Sequence, residues 1–193
     1  REFKDSKSES ILEQVAKAYI NKGVVLEEQG KSQQEIHVYN TFIKEFKNSK
    51  FEPILELVAK AYINKGVTLE HLGESQQEID TYDTLIKEFG DSKSNPILEQ
   101  VAKAYFNKGI TLGESQMAID VYDALIKEFE HSKFEPILEL VANAYYSKGV
   151  ILGELGESKK EIDTYDILIK EFKDSKFNPI LEQVAKAYIN KGI

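Results

Sequence analysis

The 193-residue chain has no cysteine and no tryptophan, one methionine, four prolines and three histidines. Without cysteine there is no disulfide framework, no thiolate metal site and no cysteine nucleophile, and the redox compartment stays open. No apolar run approaches the ~20 residues that a membrane span needs. No signal-peptide pattern opens the chain; the compartment is left open, with the cytoplasm as the expectation. Basic side chains number 25 and acidic ones 33, for a net charge of −8. That balance argues against a nucleic-acid backbone or an anionic lipid surface as partner. What the chain does have is a 41% hydrophobic complement, ample for a core at this length.

It also has internal repetition, which decides the fold before any local reading does. The segment ILEQVAKAYINKG at 11–23 returns letter for letter at 180–192, with close copies at 54–66, 97–109 and 137–149. The closing glycines are Gly23, Gly66, Gly109, Gly149 and Gly192, so the step is 43 residues except for one of 40. Pro53, Pro96, Pro136 and Pro179 keep the same steps, and Ser10 takes the proline's place in the first copy.

Each unit reads as two helices. In the second, Ile54, Leu55, Leu57, Val58, Ala61, Tyr62, Val67, Leu69 and Leu72 crowd most of the first helix, which implies burial on more than one side. Proline suits its first turn, where the missing N–H is harmless. Gly73 is placed for the left-handed conformation of a helix end. Ser75 with Glu78 has capping-box spacing, repeated at Ser32/Glu35 and Ser158/Glu161. Ile79, Tyr82, Leu85, Ile86 and Phe89 then mark one face of a second helix, with Gln77, Asp80, Asp83, Lys87 and Glu88 on the other. No stretch alternates long enough for a sheet. The pattern predicts helices near 10–29, 32–46, 53–72, 75–89, 96–112, 115–129, 136–155, 158–172 and 179–193. One hairpin cannot bury its apolar surface alone, whereas stacked hairpins can. The expected fold class is all-α: an α-solenoid of antiparallel hairpins in a right-handed superhelix, with about four units and partial ends. A single repeat domain, 1–193, then divides roughly into 8–50, 51–93, 94–133, 134–176 and a partial 177–193.

The segment AKAYINKGVTLEHLGESQQEIDTYDTLIKEF at 59–89 resembles a tetratricopeptide repeat, through Tyr62, Gly66, Gly73, Tyr82 and Leu85. Tyr19, Gly23, Gly30 and Tyr39 match in the first unit, and Tyr145, Gly149, Gly156 and Tyr165 in the fourth. The chain departs from that family in three ways. Its unit is 43 residues against the family's 34. Glu35, Glu78 and Glu161 fill a seat that the family gives to a small residue, and the expectation is that each caps its helix. The third unit lacks three residues, nearly one helical turn, which predicts an early end to the helix before Gly113 and a local irregularity there. Residues 1–7 repeat 170–176 in all but the first position, and the chain stops at Gly192-Ile193. The expectation is a fragment of a longer array with uncapped ends, and a homo-oligomer through those ends.

A catalytic constellation is not evident. His37, His71 and His131 occupy three different places in the repeat, at no ligand spacing. No GxSxG, HExxH, GxxxxGK or calcium-loop pattern is present. Paired acids such as Glu27/Glu28 read as a solvated surface. The expectation is therefore a non-enzyme with no cofactor and no metal.

A binding surface reads better, and its residues come from the resemblance. In tetratricopeptide arrays the first helices line a concave groove, which here would present Lys17, Lys60, Lys103 and Lys186, with Asn143 in the fourth unit. One turn on come Asn21, Asn64, Asn107 and Asn190, with Ser147 in the fourth; residues four apart share a helix face. Chaperone-binding members of the family use lysine and asparagine at these seats to clamp a peptide's carboxylate. This chain departs again, with Ile20, Ile63, Phe106 and Tyr146 as apolar members of the groove. That implies an extended segment or amphipathic helix of another protein as ligand. Two other readings are a self-assembling structural element and a regulatory region of a larger signalling protein.

Stacking predicts unequal sensitivity along the chain. Tyr105→Ala, in a central unit, is expected to lower the unfolding free energy by roughly 3–5 kcal/mol in urea titrations, and Tyr188→Ala by much less. Equal losses would contradict the stacked arrangement.

Overall fold

The computed structural model describes residues 8–192, so the match of residues 1–7 and the final Ile193 lie outside the described residues. Every regular element among them is α-helical. The order is α1 Glu9–Glu28, α2 Ser32–Phe46, α3 Glu52–His71, α4 Ser75–Phe89, α5 Asn95–Leu112, α6 Gln116–Phe129, α7 Glu135–Glu154, α8 Ser158–Phe172 and α9 Asn178–Asn190. Two compact units divide the chain after Ala104. In the first, α1 packs on α2, α2 on α3 and α3 on α4, and the first helices α1 and α3 touch. In the second, α6 packs on α7, α7 on α8 and α8 on α9, and α7 touches α9.

The hairpin turns follow from one glycine each. After α3, Leu72 is the C-cap and Gly73 takes φ +70°. The amide of Gly73 then donates to the Glu70 carbonyl at 2.8 Å and that of Glu74 to the Leu69 carbonyl at 2.9 Å. This six-to-one closure is a Schellman turn. Lys31 N–H to Leu26 O and Glu157 N–H to Leu152 O repeat it.

That closure overturns the expected capping boxes. It makes Lys31, Glu74 and Glu157 the N-caps, without a side-chain cap bond, and puts Ser32, Ser75 and Ser158 already inside the helix. The glutamates are thereby freed from capping. Glu35 and Glu78 are buried, at 1% and 2% exposure. Glu35 Oε1 accepts from Thr68 Oγ1 of the next hairpin at 2.8 Å, while Oε2 is buried with no partner. Hairpin three shows the contrast. Its α5 stops at Leu112, two residues short of the equivalent ends of α1, α3 and α7, so the deletion shortens the helix by less than a turn. There Ser115 does cap, accepting from the Ala118 amide at 3.2 Å.

The pairing of the two helices in a hairpin rests on a glycine facing a tyrosine. Tyr39, Tyr82, Tyr122 and Tyr165 of the second helices are among the most deeply buried side chains. Each ring lies against a glycine of the first helix: Gly23, Gly66, Gly109 and Gly149. A methyl at Gly66 would stand 2.6 Å from the Tyr82 hydroxyl oxygen and closer to the ring, so no larger residue fits without displacing the tyrosine. Tyr188 of α9, by contrast, is 37% exposed.

Glu35 supplies a pH test. Burial raises its pKa, and Glu27 raises it further; the Thr68 hydrogen bond and nearby His71 oppose this. A raised folded pKa means that the native state holds the proton more tightly than the unfolded chain. The carboxyl's contribution is therefore complete below its unfolded pKa and is lost as pH rises through the folded one. Glu35→Gln should raise stability by about 1 kcal/mol at pH 7, with the advantage disappearing below the ordinary carboxyl range. Thermal unfolding of both proteins across pH 3–8 tests the sign.

Candidate functional site

The predicted site residues lie on the first helices, and the structure distributes them unevenly. In the first unit Lys17, Asn21 and Lys60 are exposed, while Ile20 and Ile63 are buried at 6% and 9% exposure. Those two isoleucines therefore serve the core more than a surface. Lys17 pairs with Glu13 at 2.5 Å and Lys103 with Glu99 at 2.5 Å, each one turn back on its own helix. In the second unit Phe106, Asn107, Asn143, Tyr146 and Ser147 are half-buried, and Lys186 and Asn190 are exposed. Phe106 stacks obliquely on Tyr122, their ring centroids 5.8 Å apart.

The asparagine row has an internal task that spacing alone did not reveal. Asn64 Nδ2 donates to the Tyr39 hydroxyl of the preceding hairpin at 3.1 Å, and Asn190 Nδ2 donates to Tyr165 at 3.0 Å. Ser147 likewise hydrogen-bonds Tyr122. Tyr39, Tyr122 and Tyr165, each facing a glycine, thus find a polar partner on the next first helix, as buried hydroxyls must. Burial raises the pKa of Tyr39, Tyr122 and Tyr165, and the donated hydrogen bond partly offsets the rise. One amide N–H is used in each pair. The second N–H and the carbonyl oxygen of Asn64, and the carbonyl oxygen of Asn190, remain for a ligand.

Three of the predicted residues converge in the second unit. Lys186 Nζ lies 5.6 Å above the Tyr146 ring, a cation–π arrangement, and Asn190 Nδ2 stands 3.5 Å from the Tyr146 hydroxyl. An ammonium, an amide and an aromatic edge so placed can receive a carboxylate, a peptide group and an apolar side chain together. Among the described residues no group of three or more His, Asp or Glu is placed to hold a metal ion, and no helix is long and apolar enough to cross a membrane.

Polar links between hairpins were not anticipated. Lys148 meets Asp123 at 2.5 Å, and Lys191 meets Asp166. Lys47 meets Glu88 at 2.7 Å, and that glutamate also accepts from the Tyr62 hydroxyl at 2.9 Å. Within one hairpin, Tyr19 donates to Glu45 at 2.9 Å. The signal was in the sequence as a lysine 25 residues after an aspartate, but such pairs are visible only once neighbouring hairpins are known to touch.

Stacked antiparallel helical hairpins of this kind are an α-solenoid. Two solved structures share the architecture at 16% identity and TM-score 0.55. The "MamA RS-1 ArsTM double mutant" matches over 91% of this chain and 84% of its own, and "MamA 41-end from Desulfovibrio magneticus RS-1" over 92% and 85%. No protein-family model matches the chain, and no curated protein does.

Asn64→Ala would leave the Tyr39 hydroxyl without its donor. The expected loss is about 1–3 kcal/mol in urea unfolding. Ionisation of Tyr39, followed by its ring-carbon NMR shift, should move to higher pH, because the bond that lowers its pKa is gone.

Proposed function

We propose that the chain is a protein-interaction scaffold whose first-helix faces hold a segment of another protein. The observation that carries this reading is the cluster of Lys186, Asn190 and Tyr146, where charge, amide and aromatic surface meet in the open. A carboxylate of the ligand pairs with the lysine, the asparagine reads its backbone and the tyrosine edge takes an apolar anchor. In the first unit the exposed Lys60 beside the free amide atoms of Asn64 offers the same chemistry. The binding of Lys17 and Lys103 to their own glutamates leaves these two as secondary contributors.

A second reading, self-association, is favoured by apolar side chains left open on two helices. Val24 and Val25 of α1 are 38% and 47% exposed, and Ile189 of α9 is 72% exposed. Light scattering decides it: a monomer at high concentration rules it out.

The scaffold reading is tested on an array of varied 15-residue peptides. Lys60→Glu with Lys186→Glu, both at exposed positions, should keep the helical circular-dichroism signal and lower retention of carboxylate-bearing peptides about tenfold, equivalent to about 1.4 kcal/mol. An unchanged peptide profile contradicts the assignment of this face.

A further inference from the structure

The repeat allows one hairpin pair to be read against another, and a substitution at one connector exposes a site. At the end of α2, Lys47 places its ammonium 2.7 Å from Glu88 Oε1, while the Tyr62 hydroxyl donates to Oε2 of the same carboxylate at 2.9 Å. The positions equivalent to Lys47, Tyr62 and Glu88 in the second unit are Glu130, Tyr145 and Glu171. A glutamate stands where the first unit has its lysine. The ammonium that pairs with the carboxylate in the first unit is therefore replaced by a second carboxylate.

The result is a cleft of about 460 Å³ between the connector after α6, the start of α7, the end of α8 and the connector after α8. Glu130, Glu135, Glu171 and Asp174 line it, with His131 and without any lysine or arginine. The nearby cations are peripheral: Lys170 reaches Glu171 only at 3.4 Å, with both side chains more than half exposed, and His131 reaches Glu130 only at 3.7 Å. Tyr145 also lines the cleft. It is 8% exposed, and its hydroxyl lacks the glutamate bond that Tyr62 makes. Burial, Glu130 and Glu171 push its pKa up to about 12, so it stays a neutral donor and acceptor throughout the physiological range. Leu138, Ile167, Phe172 and Ile180 form an apolar wall, and Ser132 and Ser175 complete the lining from the two connectors.

We propose that this cleft is a binding site for a lysine side chain of a partner polypeptide, whose ammonium takes the place that Lys47 occupies in the first unit. The carboxylates of Glu130 and Glu171 hold the charge, and the Tyr145 hydroxyl accepts a hydrogen bond from the ammonium. Leu138, Ile167 and Phe172 cover the methylene stem, which a bare metal ion would leave unused. The site uses none of the residues assigned to the first-helix faces and does not depend on that reading.

The test is an NMR titration of the isotope-labelled 193-residue chain with acetyl-Ala-Lys-Ala-amide. The norleucine analogue, n-butylammonium chloride and magnesium chloride serve as comparison probes. Saturable shifts at the amides of Glu130, Glu135, Tyr145 and Glu171 are expected with the lysine peptide and not with the norleucine one. Glu130→Lys should rebuild the Lys47 arrangement, weaken the peptide at least tenfold and leave the melting temperature equal or higher. Glu171→Gln should weaken the peptide without filling the cleft. Equal shifts with norleucine or magnesium overturn the proposal, as does undiminished binding to Glu130→Lys. Binding of n-butylammonium as tight as that of the peptide overturns the assignment to a polypeptide and makes the site one for free amines.

Discussion

The structure depends on a close approach between two helices at one point per hairpin. A tyrosine ring of the second helix lies where the first helix carries no β-carbon, at Gly23, Gly66, Gly109 and Gly149. Glycine in a helix interior is unfavourable by about 1 kcal/mol relative to alanine. Four such glycines persist in helices otherwise rich in good helix formers because the ring must come that near. Burying an aromatic of this size contributes several kcal/mol, enough to outweigh the backbone penalty. The glycine thus sets the distance between the helices, and the tyrosine sets their rotation about each other.

The same tyrosine then determines how one hairpin meets the next. Its hydroxyl is carried into the interior and needs a partner, which Asn64, Ser147 and Asn190 supply from the following first helix in three of the cases. Packing inside a hairpin and hydrogen bonding between hairpins are therefore coupled through a single side chain. Around this lock the surface charges vary from unit to unit. Lys47 bridges to Glu88 in one place, whereas Glu130 leaves Glu171 open in another. An internal lock that recurs from hairpin to hairpin, with a changing rim, lets one fold present chemically different faces.

Most of the fold was legible because repetition multiplies weak local signals. Proline at the first turn and glycine at the last placed the helix ends within a few residues, and Gly73 does adopt the left-handed turn expected of it. The capping boxes were misread for a reason of backbone geometry. A Schellman closure consumes the residue before each serine as the N-cap, so the serine–glutamate spacing is present while the cap is not. Where three residues are missing, Ser115 caps after all. The candidate surface was legible only in part. Spacing put lysines and asparagines on one face, but could not show that Asn64 and Asn190 already serve a tyrosine, or that Ile20 and Ile63 belong to the core. Those facts depend on the neighbouring hairpin, and no pattern within one unit encodes them.

A double-mutant cycle on the lock of the fourth hairpin, Gly149→Ala with Tyr165→Leu, addresses the central claim most directly. Alone, the alanine should lower the unfolding free energy by about 1–3 kcal/mol, since its methyl collides with the ring. With leucine at 165 the ring is gone, and the same alanine should be neutral or stabilising by up to about 1 kcal/mol through helix propensity. The account predicts this change of sign or near-cancellation. Strict additivity of the two substitutions would contradict it, because the glycine would then be serving something other than the tyrosine.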